Sequence, residues 1–337
     1  MYFFNDNNAL IMRKIYTIGE TVFDIMFVGG RPVGGNPGGS VLNSAVTLGR
    51  LGMQPVFLSD FCDDLVGKVI ARFLFDNNVT PQQLVDGSAM QTSIAMAFLD
   101  SNGDARYEFY KQKPQSPDLT KFAADFQKDD ILLFGSYYAI MPEIREGVRQ
   151  LVTSARRNGA IVVYDPNFRR PHLKDLPVVR PFIEENISLA DVVKGSDEDF
   201  SLVFGSSSQS IAFDILRNIN RNAMFFYTKG KDGCACYQRG ITLEYTAPPI
   251  KPVSTIGAGD NFNAGIVYGI IKNNLTRNDL RSNVKKEIVD DIVDYATRFA
   301  QEVCMSKENY IAPTVQNAPI NNSQFTINNW ASAGRRF

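Results

Sequence analysis

The sequence predicts an α/β fold: a doubly wound, mostly parallel sheet with helices on both faces, plus a small extra β-sheet. Three observations predict it. Compact apolar runs alternate with helical segments. Two glycine-rich stretches each lead into an apolar helix. One hairpin stands outside the alternation.

The runs Ile131–Gly135, Ala160–Asp165, Ala190–Lys194 and Ala223–Thr228 are short, apolar and bounded by polar or turn residues. Such runs read as buried parallel strands. Lys14–Glu20 reads as a first strand. Helices are expected at 40–51, 65–77, 142–158, 261–273 and 285–303. Thr92–Asp100 and Ala105–Tyr110 flank Asn102-Gly103, the strongest short hairpin signal. With the run at 21–33, this hairpin predicts the small sheet. In doubly wound sheets, ligands gather at the carboxyl ends of the strands.

The most informative stretch is Ser254-Thr-Ile-Gly-Ala-Gly-Asp-Asn-Phe-Asn-Ala-Gly265. Gly257, Ala258 and Gly259 precede Asp260 and an apolar helix. The first amides of a helix lack intrahelical partners and carry the positive end of its dipole. Small residues there let a phosphate reach those amides. A carboxylate at the same place can take a proton from an attacking hydroxyl. The bland alternative is a tight turn with Asp260 as a helix cap.

The second stretch is Gly34-Gly-Asn-Pro-Gly-Gly-Ser-Val-Leu-Asn43, which reads as a glycine-rich turn entering a helix that stops at Gly52. Gly38 and Gly39 let a polar ligand touch the backbone, and Asn43 lies one turn into the helix. Asp24 sits in the apolar run Val22–Phe27 and needs a polar partner; polyol hydroxyls would serve.

Together these two stretches resemble the ribokinase-like carbohydrate kinases, also called the phosphofructokinase-B family. The likeness runs from about Lys14 to about Ser306, and the opening Gly19-Glu20 with Asp24 is most similar to the fructokinase branch. The resemblance implies ATP-dependent phosphorylation of a sugar hydroxyl, with D-fructose to fructose 6-phosphate as the first expectation. Kinases of 2-keto-3-deoxygluconate or ribose are the alternatives within the family. A non-catalytic sugar- or nucleotide-binding regulator on the same fold is the alternative outside it.

The resemblance assigns Asp260 as general base and Gly257, Ala258 and Gly259 as the anion hole. It assigns Asp24, Gly38, Gly39, Asn43, Arg169 and Lys111 to the sugar. Arg169 comes from the loop Tyr164-Asp-Pro-Asn-Phe-Arg169. Thr228, Gly230, Gly233, Lys194 and Ser196 fall to the nucleotide, and Asp199 to a water-mediated Mg²⁺; the bland alternative for this acidic cluster is a solvated helix start, where acidic residues favour the dipole. It also implies a kinase domain over 14–310, whose lid is formed by about 21–33 and 91–111 and often joins a homodimer. Residues 1–12 are then an extension and 311–337 a tail. Ser254 and Ile256 stand where potassium-activated members coordinate the cation. Ile256 has no side-chain ligand, so monovalent-cation activation is doubtful.

Composition sets the remaining bounds. A chain of 337 residues can bury a large core. A net charge of −1 offers no field for nucleic acid or anionic membrane. No apolar run approaches the roughly 20 residues needed to span a bilayer. The N-terminus lacks the charge and apolar pattern of a secretory signal. With four scattered cysteines, the expectation is a reducing, cytoplasmic setting. Cys234 and Cys236 are expected to be buried strand residues, since His172 is the only histidine available for a metal site.

Overall fold

The computed structural model describes residues 13–84, 91–99, 105–111, 119, 122 and 125–313. The expected extension 1–12, the tail beyond 313 and the Asn102-Gly103 turn lie outside the described residues.

The large sheet is built from β1 (Ile15–Ile18), β4 (Val56–Ser59), β5 (Thr80–Gln83), β8 (Ile131–Gly135), β9 (Ile161–Asp165), β10 (Val192–Ser196), β11 (Met224–Thr228), β12 (Cys234–Gln238) and β13 (Ile241–Tyr245). Their spatial order is β13-β12-β11-β10-β9-β8-β1-β4-β5. From β11 to β5 all pairings are parallel; β12 and β13 add an antiparallel edge. β8 and β9 are buried along their whole length, as parallel strands covered on both faces must be.

Helices cover both faces. The core on one side includes residues of α1 (Ser40–Arg50), α2 (Leu65–Asp76), α7 (Ala258–Lys272) and α9 (Lys286–Cys304). The core on the other includes residues of α3 (Arg145–Arg157), α4 (Leu176–Leu189), α5 (Asp197–Phe204) and α6 (Gln209–Ile219). Cys234 and Cys236 are buried in the first core. The helix α4 was not legible because Pro177 and Pro181 interrupt its pattern. Pro177 sits in the first turn, where its missing N–H has no cost.

The second sheet has the order β3-β2-β6-β7, from β2 (Val22–Val28), β3 (Arg31–Gly38), β6 (Ile94–Leu99) and β7 (Ala105–Tyr110). One expectation is corrected here. The stretch 34–38 is not a turn into α1 but the end of strand β3, antiparallel to β2. Pro32 and Pro37 restrict the backbone to extended φ values, which favours this geometry.

A second correction concerns α7, which begins at Ala258 and not at 261. Gly257 takes the N-cap position at φ 82°, a left-handed conformation that suits glycine. Asp260 therefore lies inside the first turn and is not the cap.

At the opposite end of the sheet from these glycines, Asp191 enters β10 with its side chain fully buried. Its oxygens lie 2.9 Å from Arg277 Nε and 2.9 Å from Arg281 Nη1, and the Val162 amide donates to it at 3.1 Å. This pins α8 (Arg277–Leu280) beneath the sheet. Replacing Asp191 by Ala leaves two arginines without their carboxylate. We expect a loss of about 3 kcal/mol, read as a lower midpoint in urea denaturation, with turnover of the folded protein unchanged.

Candidate active site

The site forms where α1 and α7 begin side by side. Asp260 is 7 % exposed. Ser40 Oγ donates to its Oδ1 at 2.6 Å, and Asn43 Nδ2 donates to its Oδ2 at 2.8 Å. Ser44 Oγ donates to the Asp260 carbonyl at 2.7 Å. One turn further on, Thr47 Oγ1 donates to Asn261 Oδ1. Asn261 in turn donates to the carbonyls of Gly257 and Asn309, each at 2.8 Å. Side chains of one helix thus fix the first turn of the other. Asn43 was expected to face the sugar; its amide nitrogen holds Asp260, and its Oδ1 is buried without a partner.

Burial pushes the Asp260 carboxyl above its ordinary value, against the hydrogen bonds from Ser40 and Asn43 that pull it down. Among the described residues, no acceptor takes the amides of Gly257, Gly259 or Asp260. The Ala258 amide, expected in the anion hole, is directed across the turn to Thr255 O at 3.3 Å. Unpaired amides beside a helix N-terminus are the ingredients of an anion site.

A buried cation lies beside these amides. Lys194, on β10, is 4 % exposed. A Cβ placed on Gly259 would lie 3.0 Å from Lys194 Nζ, so the ammonium borders the first turn of α7. Asp165, at the end of β9, accepts from Lys194 Nζ at 3.0 Å and from Asn263 Nδ2 at 2.6 Å. Burial alone would push the Lys194 ammonium down, but Asp165, Asp199 and Asp260 together push it above its ordinary value. Asp165 stood in the loop singled out from the sequence, but no role was read for it. Ser40 was likewise missed; its place directly after Gly38-Gly39 is the only local sign of it.

The expected sugar residues are linked to this centre by three successive positions. A Cβ on Gly38 would meet Asp24 Oδ2 at 2.2 Å. A Cβ on Gly39 would meet Glu20 O at 2.3 Å. Ser40 then touches Asp260. Burial raises the Asp24 carboxyl to about 6, which Lys111 opposes and Glu20 reinforces. Lys111 Nζ lies 2.8 Å from Glu20 Oε2 and 5.0 Å from the centre of the Phe109 ring. Arg169 is exposed where the chain leaves β9, and no contact ties it to Asp24 or Asp260 among the described residues.

On the nucleotide side, Ser196 and Thr228 are register partners at the carboxyl ends of β10 and β11. Ser196 caps α5 and shares a capping box with Asp199, whose Oδ2 accepts the Ser196 amide at 2.7 Å. Asp199 Oδ1 accepts the Phe168 amide at 2.7 Å. Both oxygens of Asp199 are therefore engaged in holding two loops, a structural role that the sequence reading set beside Mg²⁺. No group of three acidic, histidine or cysteine side chains that could hold a metal ion occurs among the described residues. Gly230 borders open space, whereas a Cβ on Gly233 would strike Tyr245 O at 2.0 Å. Gly233 is thus required by the β11–β12 connection itself. Ser254 Oγ accepts the Ile256 amide at 3.2 Å, and the Ile256 side chain is exposed. No helix among the described residues is long and apolar enough to cross a membrane.

The sequence profile of the pfkB family carbohydrate kinases matches residues 12–314. A fructokinase of Klebsiella pneumoniae is 29% identical over 276 residues, 79% of this chain and 87% of that protein. A 5-dehydro-2-deoxygluconokinase of Geobacillus kaustophilus is 30% identical over 247 residues, 70% of this chain and 73% of that protein. The fold is similar to that of a fructokinase from Vibrio cholerae O395 crystallised with fructose, ADP and calcium. That likeness has TM-score 0.75 and 22% identity, over 88% of this chain and 94% of that one. A profile that spans the site from β1 to the segment behind α7 leaves one conclusion: the chain belongs to the pfkB family of carbohydrate kinases.

Proposed function

We propose that this kinase transfers the γ-phosphoryl group of ATP to a hydroxyl of D-fructose, giving fructose 6-phosphate. The observation that carries the reading is the Asp260 carboxylate, placed between the Asp24 side of the site and the Lys194 ammonium. Fructokinases among the relatives support fructose over 2-keto-3-deoxygluconate or ribose. The presence of base, amides and cation together argues against a purely binding role.

In this mechanism a sugar hydroxyl takes the place that Ser40 Oγ now holds at Asp260 Oδ1. Asp260 receives its proton as the oxygen attacks the γ-phosphorus. The bond from that phosphorus to the bridging oxygen of ADP breaks, and ADP leaves. The amides of Gly257, Gly259 and Asp260, with Lys194 Nζ, are placed to receive charge on the transferring group. Asp165 and Asn263 keep the ammonium oriented.

The family uses ATP with a divalent cation, and Mg²⁺ is the proposed one. Bound to the phosphates, it would supply charge neutralisation. A hydrated Mg²⁺ needs few protein ligands, so the absence of a three-residue cluster among the described residues is compatible with it. Thr228, Gly230 and Ser196 are proposed for the nucleotide, with Asp199 positioning that side through its capping role. Asp24, Gly38, Gly39 and Lys111 are proposed for the sugar, and the β3-β2-β6-β7 sheet is proposed to close over it, excluding water. A homodimer through that sheet and a cytoplasmic setting belong to the same proposal.

Three outcomes test it. Coupled measurement of ADP release should show turnover with fructose that exceeds turnover with ribose, and Asp260→Asn should lower kcat by about 10²–10⁴-fold. Turnover independent of sugar, or undiminished in that variant, removes the reading. Gly259→Ala places a methyl beside Lys194 Nζ in the phosphate path. Alanine within a helix ordinarily adds about 0.5–1 kcal/mol of stability. We therefore expect at least tenfold slower turnover with an unlowered melting temperature. Finally, Asp260 works only when ionised, and its pKa is raised. Activity should accordingly fall, as pH is lowered, at a higher pH than an ordinary aspartate would give, visible as a shifted acid limb of the kcat profile.

A further inference from the structure

The strands β6 and β7 of the small sheet are entered from Thr92 and left at Lys111. At the exit, Lys111 Nζ pairs with Glu20 Oε2 at 2.8 Å, and both side chains are partly exposed. An ion pair so placed contributes little. The entry is held differently. Thr92 is 4 % exposed. Its amide donates to Asp64 Oδ2 at 2.7 Å, and its Oγ1 donates to Asp64 Oδ1 at 2.8 Å. The Cys62 amide donates to Thr92 Oγ1 at 3.0 Å. Asp64 also caps α2, its Oδ1 accepting the Gly67 amide at 2.7 Å. A Cβ on Gly67 would lie 1.8 Å from Cys62 O and 3.0 Å from Thr92 Oγ1, so only glycine lets these segments approach so closely. A helix cap needs one side-chain oxygen. Asp64 has both of its oxygens on Thr92.

What Thr92 fixes is the start of β6. The next carbonyl, Ser93 O, accepts the Phe23 amide at 2.9 Å. From there β6 runs parallel to β2, with Ala95 opposite Asp24. On its other side β2 pairs with β3, where a Cβ on Gly38 would meet Asp24 Oδ2 at 2.2 Å. Two residues beyond Gly38, Ser40 Oγ donates to Asp260 at 2.6 Å. A continuous path of hydrogen bonds therefore runs from the N-cap of α2 through the start of β6 to β2, the strand that carries Asp24. A strand that slips by one residue turns its side chains to the opposite face. The tie at Thr92 thus guards the face on which Asp24 emerges. Burial pushes the Asp64 carboxyl up, but the bonds from Gly67 and Thr92 outweigh it and hold it below its ordinary value.

We propose that Asp64 is a positioning residue for the sugar: acting through Thr92, it fixes the start of β6 and so holds Asp24 in place. The inference rests on the sugar-kinase function proposed above and deepens it. Asp64 follows β4, whereas Lys194, Ser196 and Thr228 stand on β10 and β11, several strands away across the sheet. Loss of the tie should therefore weaken the hold on fructose and leave that on ATP as it was.

The test is the steady-state kinetics of the full chain and its variants with ATP, Mg²⁺ and D-fructose. Asp64→Ser keeps a capping oxygen, since serine caps as well as aspartate, but has no second oxygen for Thr92. Thr92→Val removes the hydroxyl at nearly constant volume, and Thr92→Ser retains it. For Asp64→Ser and Thr92→Val we expect KM for fructose to rise by about fivefold or more, with KM for ATP within about twofold of that of the unaltered chain. Thr92→Ser should keep both constants near their unaltered values. A tie that served stability alone would lower the melting temperature and leave both KM values unmoved. Should Asp64→Ser not fold, Asp64→Asn takes its place, because it keeps the cap and offers the Thr92 amide no acceptor. An unchanged KM for fructose, or an equal rise for both substrates, overturns the inference and leaves the kinase function intact. No sugar-dependent turnover by the unaltered chain overturns the kinase function, and this inference with it.

Discussion

The carboxylate of Asp260 is held by a helix that begins 220 residues earlier in the chain. Ser40 and Asn43 grip its two oxygens, Ser44 grips its carbonyl, and Thr47 grips the next side chain, Asn261. These bonds fix the first turn of α7 at one orientation. The unpaired amides and the Asp260 carboxylate are thereby presented together, and a buried carboxylate survives only with such partners. The rest of the site is arranged around this junction.

Lys194 and Asp165 supply the second constraint. A buried ammonium beside buried carboxylates is a liability unless every charge is placed. Asp165 meets that need by bonding both Lys194 and Asn263, one from the sheet and one from α7. The same pair therefore joins a strand end to a helix and sets a positive charge beside the first turn of α7.

Parts of this were legible in the sequence for local reasons. Gly257, Gly259 and Asp260 declare themselves because small residues and a polar side chain stand at fixed spacing where an apolar helix begins. β8 and β9 declare themselves because strands buried on both faces are uniformly apolar. The stretch 34–38 misled because glycine and proline mark turns as readily as they mark an edge strand. Gly38 is needed for the space that the Asp24 carboxylate fills. Asp199 carried two readings in the sequence, since an acidic residue at a helix start serves a cap as well as a cation.

The sequence alone determined the alternation of strand and helix and the start of α1, and it placed the start of α7 three residues late, because these features are written in spacings of a few residues. Tertiary structure decided what those starts face. Which acceptor Ser40 meets, which carboxylate steadies Lys194, and that Lys111 pairs with Glu20 all depend on segments tens to hundreds of residues apart. Electrostatic energy depends on distance in space and on burial, and neither is a property of local sequence.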